Sequence, residues 1–290
     1  MKLARPDVFH PRLVLAGCPQ LPSGDGDDDG LVQALRRRGL HARWLSWDDP
    51  DTLRADVVIL RATRDYAAKL EEFLAWTTSV PRLLNAPAVV AWNADKRYLL
   101  DLARAGVPTV PSAVFGPAER VRLPSAERVV VRPSTGAGAQ RFTNGDAALA
   151  HAAAIQGQGR SVLVQPYDER VEREQIALVF LGGKSSHAFT KAETLTPAEP
   201  DFEIWDVGFA ALAAGAERLN MSARDFLYAR VDVIGGIDDP RLLELELIEP
   251  SLGWMHLGEQ ARELQQREFA RCLASTLERL GLGPLSHRRP

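Results

Sequence analysis

VVVRPSTGAGA, residues 129–139, runs from a short apolar stretch ending at Arg132 into a turn of small residues, Pro133-Ser134-Thr135-Gly136-Ala137-Gly138. The apolar stretch reads as a strand, and the small residues of the turn let backbone N–H groups come close to an anion, so the segment can cradle phosphates. The signal is not specific by itself, because the turn lacks both the GKS or GKT ending of a P-loop and the GxGxxG spacing of a dinucleotide site. Residues 145–155 then read as a helix and 161–165 as a second strand, which makes a β-loop-α-β module the size of a lid.

Upstream, ADKRYLLDLARA (residues 94–105) reads as a helix closed by Gly106, and Pro108 and Pro111 force the next few residues to be extended. The first third alternates apolar and amphipathic runs: strand 12–17, helix 31–38, strands 42–47 and 56–60, helix 67–76, a small α/β unit. Its PSGDGDDDG segment (residues 22–30) reads as a solvated loop able to end in an N-cap from Asp28 or Asp29. Downstream, runs 176–181 and 185–189 flank Gly182-Gly183-Lys184 and predict a hairpin. Helix 208–219, strands 226–234 and 242–248, and an amphipathic helix 258–280 complete the chain.

The composition is that of an ordinary globular protein: 290 residues, 46% hydrophobic and 25% charged. With 35 basic against 38 acidic residues the net charge is -3, and the one short basic run, Arg36 to Arg38, makes nucleic acid a poor partner. The N-terminus holds neither an export signal nor a membrane span, so no membrane association and a cytoplasmic location are expected. Cys18 and Cys272 form no CxxC pair, which argues against a disulfide framework or cysteine-based zinc site.

An acidic cluster carries the second chemical signal. Asp232 lies on one predicted strand, and Glu244, Glu246 and Glu249 lie in LLELELIEPSLG (residues 242–253). Residues two apart on a strand share a face, so Glu244 and Glu246 point together while Leu243, Leu245 and Leu247 point away. An adjoining antiparallel strand carrying Asp232 would complete a three-carboxylate site suited to Mg²⁺; a solvated polar strand face is the equal alternative. Lys96, Arg132, Lys191 and Arg230 are cations at structured positions, in a chain with five lysines and thirty arginines, and each could bind phosphate oxygens or lie on the surface.

In this order the segments resemble the ATP-grasp superfamily. WNADKRYLLDLARAGVPTVPS (residues 92–112), LVFLGGKSSHAFTK (residues 178–191), and YARVDV with ELELIEPSL (residues 228–233 and 244–252) resemble its glutathione-synthetase-like and ribosomal-protein-S6-modification-like branch. Within that branch the group containing the cyclo-ligase of cycloserine biosynthesis, O-ureido-D-serine cyclo-ligase-like, is nearest. The resemblance implies an α/β (α+β) ATP-grasp fold in three parts: a Rossmann-like N-terminal substrate domain over 1–92, a helix plus central lid over 93–164, and a C-terminal ATP-grasp part over 165–290. It implies ATP and Mg²⁺ as cofactors, a small carboxylate and an amine-type nucleophile as partners, and, since relatives are often dimers, leaves a homodimer open.

Site roles come from the same resemblance. Lys96 and Arg132 meet the nucleotide phosphates, Arg132 standing where a lysine is usual, and Ser134, Thr135, Gly136 and Gly138 close over them. Gln165, Pro166 and Tyr167 accept adenine, and Gln175 stands where a ribose-binding Glu is usual. Asp232, Glu244 and Glu246 hold Mg²⁺, with Glu249 a further candidate because the usual Glu-x-Asn is here Glu-Leu-Glu. Arg230 faces the γ-phosphate, and with Lys191 forms the catalytic pair. LRATRDY (residues 60–66) resembles the family's LRSTWDY and makes Arg61, Thr63, Asp65 and Tyr66 the substrate-side residues. His187 and His256 read as packing residues or as supports.

The implied reaction is activation of a carboxylate as an acyl phosphate, then attack by an amine, or by a nucleophile of the same molecule, with release of ADP and phosphate. ETLTPAEPDFEIWD (residues 193–206) lies where relatives carry a longer segment with a Phe-Arg-Val-like string, and offers Glu203 in place of Arg. That departure keeps two alternatives open, an inactive nucleotide-binding protein and a small-molecule kinase.

Overall fold

Strands LVLAG and VVILRA are apolar along nearly their whole length, the pattern of strands covered on both faces. In the computed structural model, which describes residues 10–191 and 195–283, they pair in parallel as β1 (Leu13–Gly17) and β3 (Val57–Ala62). β2 (Ala42–Ser46) and β4 (Leu83–Leu84) flank them in the order β2-β1-β3-β4. Helices α1 (Leu31–Arg37) and α2 (Leu70–Ser79) come after β1 and β3, and the start of the helix expected over 67–76 is a short 3-10 turn, Tyr66–Lys69. The N-terminal residues read for export, as well as Glu193 and Thr194 of the 193–206 segment, lie outside the described residues.

The lid-sized module is an antiparallel sheet, ordered β5 (Ala113–Phe115), β8 (Val162–Pro166), β6 (Val129–Pro133) and β7 (Gln140–Phe142). β7 is absent from the sequence reading because three residues are too few for a period, so the Gly-rich turn is a hairpin loop and not a strand-to-helix connection. Alternation along β6 buries Val129 and Val131 under Ala148, Ala152 and Ile155 of α5 (Gly145–Gly157), and turns Val130 and Arg132 to the other face.

The third sheet is antiparallel, in the order β11 (Pro197–Ala198), β10 (Lys184–Thr190), β9 (Ile176–Leu181), β12 (Tyr228–Ile234), β13 (Arg241–Glu246). β9 sends Ala177, Val179 and Leu181 into one core with Phe269 and Leu273 of α7 (Glu259–Arg279), and Leu178 and Phe180 into another with Ala211 and Leu212 of α6 (Phe202–Arg218). The first of these cores also contains Leu13, Leu15 and Ile59, so the N-terminal and C-terminal sheets are welded through shared apolar packing. α6 begins at Phe202, earlier than the expected 208, and Gly208 is a mid-helix residue where a Cβ would lie 2.6 Å from the Phe180 ring. Among the described residues no helix is long and apolar enough to cross a membrane.

Candidate active site

Residues 94–105 do not form one helix; the chain breaks where Lys96 sits. α3 (Pro87–Asn93) ends, and α4 (Tyr98–Arg104) starts after a gap. In the gap the Lys96 amide donates to the Ser134 carbonyl at 2.8 Å, and Asp95 bridges Thr135. Backbone groups that a continuous helix would satisfy internally instead fasten Lys96 to the Gly-rich turn.

The same stretch caps the open edge of β13. Asn93 donates to the Leu245 carbonyl at 2.9 Å and accepts from the Leu247 amide at 2.8 Å, while the Tyr98 hydroxyl accepts from the Leu245 amide at 3.1 Å. Asn85 donates to the Tyr228 and Leu247 carbonyls at 2.9 and 2.8 Å. Sequence reasoning misses these three residues; two amides inside the otherwise apolar run 83–94 are the signal that points to them.

β12 and β13 face Arg230 to Glu246 and Asp232 to Glu244, and the register then slips between Asp232 and Val233. This bulge corrects the strict alternation: Leu243 faces the same cavity as Glu244, and Leu242 is the buried residue. Asp232, Glu244 and Glu246 each bring a carboxylate oxygen within 4.8 Å of the others. Glu249 lies outside that set.

Cations bind all three carboxylates. Lys191 Nζ is 2.6 Å from Asp232 Oδ2, Arg230 Nε is 2.9 Å from Asp232 Oδ1, Arg230 Nη2 is 2.5 Å from Glu246 Oε1, and Lys96 Nζ is 3.1 Å from Glu244 Oε1. Burial raises the Asp232 carboxyl, but Arg230 and Lys191 outweigh it and hold it below the usual range; Lys96 and Arg132 do the same for Glu244. Glu246 goes the other way, raised by burial and by its acidic neighbours against the pull of Arg230.

Two further residues named from the resemblance meet the carboxylates directly. Arg230 is 6% exposed, bound to two carboxylates and to the Ser251 carbonyl at 3.2 Å, so its guanidinium arranges the acidic centre. Gln175 donates to Asp232 Oδ2 at 3.2 Å, because pairing of Ile176 with Val233 carries it to the carboxylate side.

Two cavities meet at this centre. One, of about 250 Å³, has apolar walls from Val130, Leu163 and Leu243, with Gln165, Pro166 and Tyr167 along its strand edge. The other, of about 230 Å³, is lined by Arg64, Tyr66, Asn93, Glu246 and Glu249. Lys96, Arg132 and Glu244 line both. The turn closes the junction: Arg132 Nη2 donates to the Gly136 carbonyl at 3.1 Å, and Gly136 adopts φ +75° where a Cβ would lie 2.7 Å from Ala67. Arg132 Nε is buried without a protein partner, an orphan donor that suits an anionic oxygen.

The N-terminal residues divide. Tyr66 lines the second cavity, as expected, and so does Arg64, which the motif reading skips. Arg61 is 3% exposed, with Nε 2.9 Å from Asp28 Oδ1, Nη1 3.1 Å from the Pro250 carbonyl, and its guanidinium over the Tyr228 and Trp254 rings. It is therefore a structural anchor out of reach of substrate. Thr63 is fully buried, and Asp65 accepts from the Trp47 indole at 2.8 Å.

The PSGDGDDDG segment is exposed over much of its length, as read, except that Asp27 and Asp28 are buried, and the N-cap of α1 is Gly30 in place of Asp28 or Asp29. Asp28 is buried against Arg61, with its carboxyl pushed up to about 6 by burial. Asp27 accepts from the Leu252 amide at 2.7 Å, the Met255 amide at 3.0 Å and the Ser251 hydroxyl at 3.1 Å. Glu203 is exposed on the first turn of α6 and adds no acid to the centre. His187 holds the Leu252 carbonyl at 2.7 Å through Nε2, a packing role.

The structure matches Bacillus anthracis D-alanine--D-alanine ligase complexed with ATP over 94% of this chain and 98% of that one, with a TM-score of 0.68 at 15% identity, a likeness of fold. The fold thus defines the class, that of the ATP-grasp ligases. The sequence narrows the class further. A protein of Streptomyces lavendulae, "Cycloserine biosynthesis protein DcsG", is 32% identical over 289 residues, spanning 88% of this chain and 95% of that protein. The crystal structure of D-cycloserine synthetase DcsG superposes with a TM-score of 0.79 at 30% identity, over 90% of this chain and 99% of that one. The family model "D-cycloserine synthetase DcsG, N-terminal domain" matches residues 13–85. The chain belongs to the DcsG family.

Proposed function

We propose that this protein activates the carboxylate of a small amino-acid-like substrate at the junction of the two cavities and closes a ring by attack of a nitrogen in the same molecule. The observation that carries the reading is that Lys96, Arg132 and Glu244 line both cavities, so a nucleotide in one and a carboxylate in the other would meet across the same charges. A cavity of about 230 Å³ suits a small molecule better than a peptide. The printed names of the relatives at 30% and 32% identity point to cycloserine, a cyclic product.

The steps balance without a protein nucleophile. A carboxylate oxygen attacks the γ-phosphorus and ADP leaves; the nitrogen then attacks the acyl carbon, phosphate leaves with one former carboxylate oxygen, and the nitrogen loses a proton. Lys96 and the orphan Nε of Arg132 would take up charge on the transferring phosphoryl group. The turn 134–138 would keep water from the acyl phosphate. Asp232, Glu244 and Glu246 form an all-oxygen donor set that fits Mg²⁺, which would supply positive charge at the β- and γ-phosphates.

ADP release with Mg-ATP across a panel of amino acids bearing a side-chain nitrogen, with mass spectrometry of each product, tests this. Substrate-dependent ADP together with a product lighter by one water is the expected result. A product condensed from two molecules, or a released phosphorylated compound, would replace the cyclisation reading.

A further inference from the structure

The second cavity holds one carboxylate that phosphoryl transfer leaves over. Asp232, Glu244 and Glu246 are each bound by a lysine or arginine; Glu249 lines the cavity but, among the described residues, makes no hydrogen bond or salt bridge. An ionised carboxylate only accepts, so a ligand it holds in this pocket has to bring an N–H or O–H donor.

Its mount is fixed from behind. Tyr228 donates to the Ile248 carbonyl at 2.9 Å, Arg61 to the Pro250 carbonyl at 3.1 Å and Arg230 to the Ser251 carbonyl at 3.2 Å, while Asp27 takes the Ser251 hydroxyl and the Leu252 and Met255 amides. These bonds hold the backbone on both sides of Glu249 and leave its side chain to the cavity. The remaining cation near it, Arg64, is bound to Asp25. The cavity is thus polarised, with Lys96 and Arg132 at the phosphoryl end and a free carboxyl beside Tyr66.

We infer that Glu249 holds the ammonium group of a zwitterionic substrate and so determines that the carboxylate end faces the phosphoryl donor. This rests on reading the second cavity as the substrate site. It separates Glu249 from the metal ligands that its place in ELELIE suggests. Burial and the nearby Glu246 push its carboxyl up to about 8 against the pull of Arg64 and Arg61, the mark of a group that an arriving cation would relieve.

The test uses a pair of probes, D-cycloserine and isoxazolidin-3-one, the same ring without its amino group, titrated calorimetrically into the ADP- and Mg²⁺-loaded protein. Wild type should bind the amino ring about tenfold to a hundredfold more tightly, the range of a charge-assisted hydrogen bond. Glu249→Gln should erase that preference while binding the deamino ring and ADP as wild type does, and Glu249→Asp should restore part of it. A Glu249→Gln protein that keeps the preference overturns the inference and leaves the substrate reading standing. Wild type that binds ADP but neither ring overturns the substrate reading, and the inference with it.

Discussion

The two cavities share three residues and are built in opposite ways. The larger one is made by regular structure: alternate residues of β6 and β8 and a bulge in β13 supply its walls, so strand register sets where its polar groups stand. The smaller one is made by irregular segments held in place over long distances, with the 248–255 stretch tied to Asp27, Asp28 and Arg61 of the N-terminal part. The difference teaches where specificity resides. A site for a common nucleotide can arise from strand geometry, whereas a site for one small substrate needs a frame assembled from residues as far apart as Arg61 and Pro250, which are separated by 189 positions.

The largest effect that would break this contrast is on the clamp. Arg61→Met leaves Asp28 buried and unpaired, and should cost about 3–5 kcal/mol in denaturant unfolding. Where the variant remains folded, KM for the carboxylate substrate should rise while ATP affinity stays near wild type; an equal loss on both sides would dissolve the distinction. At the junction, Asp232→Asn should lower ADP release by about a hundredfold or more with both cavities still formed, as measured by turnover beside a thermal melt. Lys96→Met should weaken ATP binding by about tenfold in calorimetry, because it removes one charge-assisted contact.

The most gradual effect is a pH dependence that comes from the substrate side. Glu249 is raised from 4.5 to about 8 in the folded protein, so between these values the folded chain binds more protons than the unfolded one. Stability of the ligand-free protein should therefore fall as pH rises through that window, by roughly 1 kcal/mol per unit between about pH 6 and 8. Glu249→Gln should flatten the curve there. Asp28, raised to about 6, should still contribute a fall at lower pH in both proteins.

The same contrast separates the features legible in the sequence from those that are not. VVVRPST, the DV of β12 and ELELIE are short strings whose residue types and period of two allow an anion-binding turn and paired carboxylates, and the structure brings the three strings together. Local pattern fails where a partner is remote. Asp27 in an Asp-rich loop reads as solvated unless it is known that residues 251–255 return to it, and Arg61 reads as a substrate ligand until Asp28 is found against it. A bulge leaves no trace in alternation, so a strict period of two puts Leu243 on the wrong face. The break at Lys96 is hidden because the 94–105 stretch has good helix formers; pairing with the Gly-rich turn overrides that propensity.

The central claim is that the shared junction makes an acyl phosphate. Turnover of a substrate whose carboxylate carries heavy oxygen tests it most directly, with the released phosphate analysed by mass spectrometry. One labelled oxygen in the phosphate is the predicted result; phosphate released without label during product formation would contradict it.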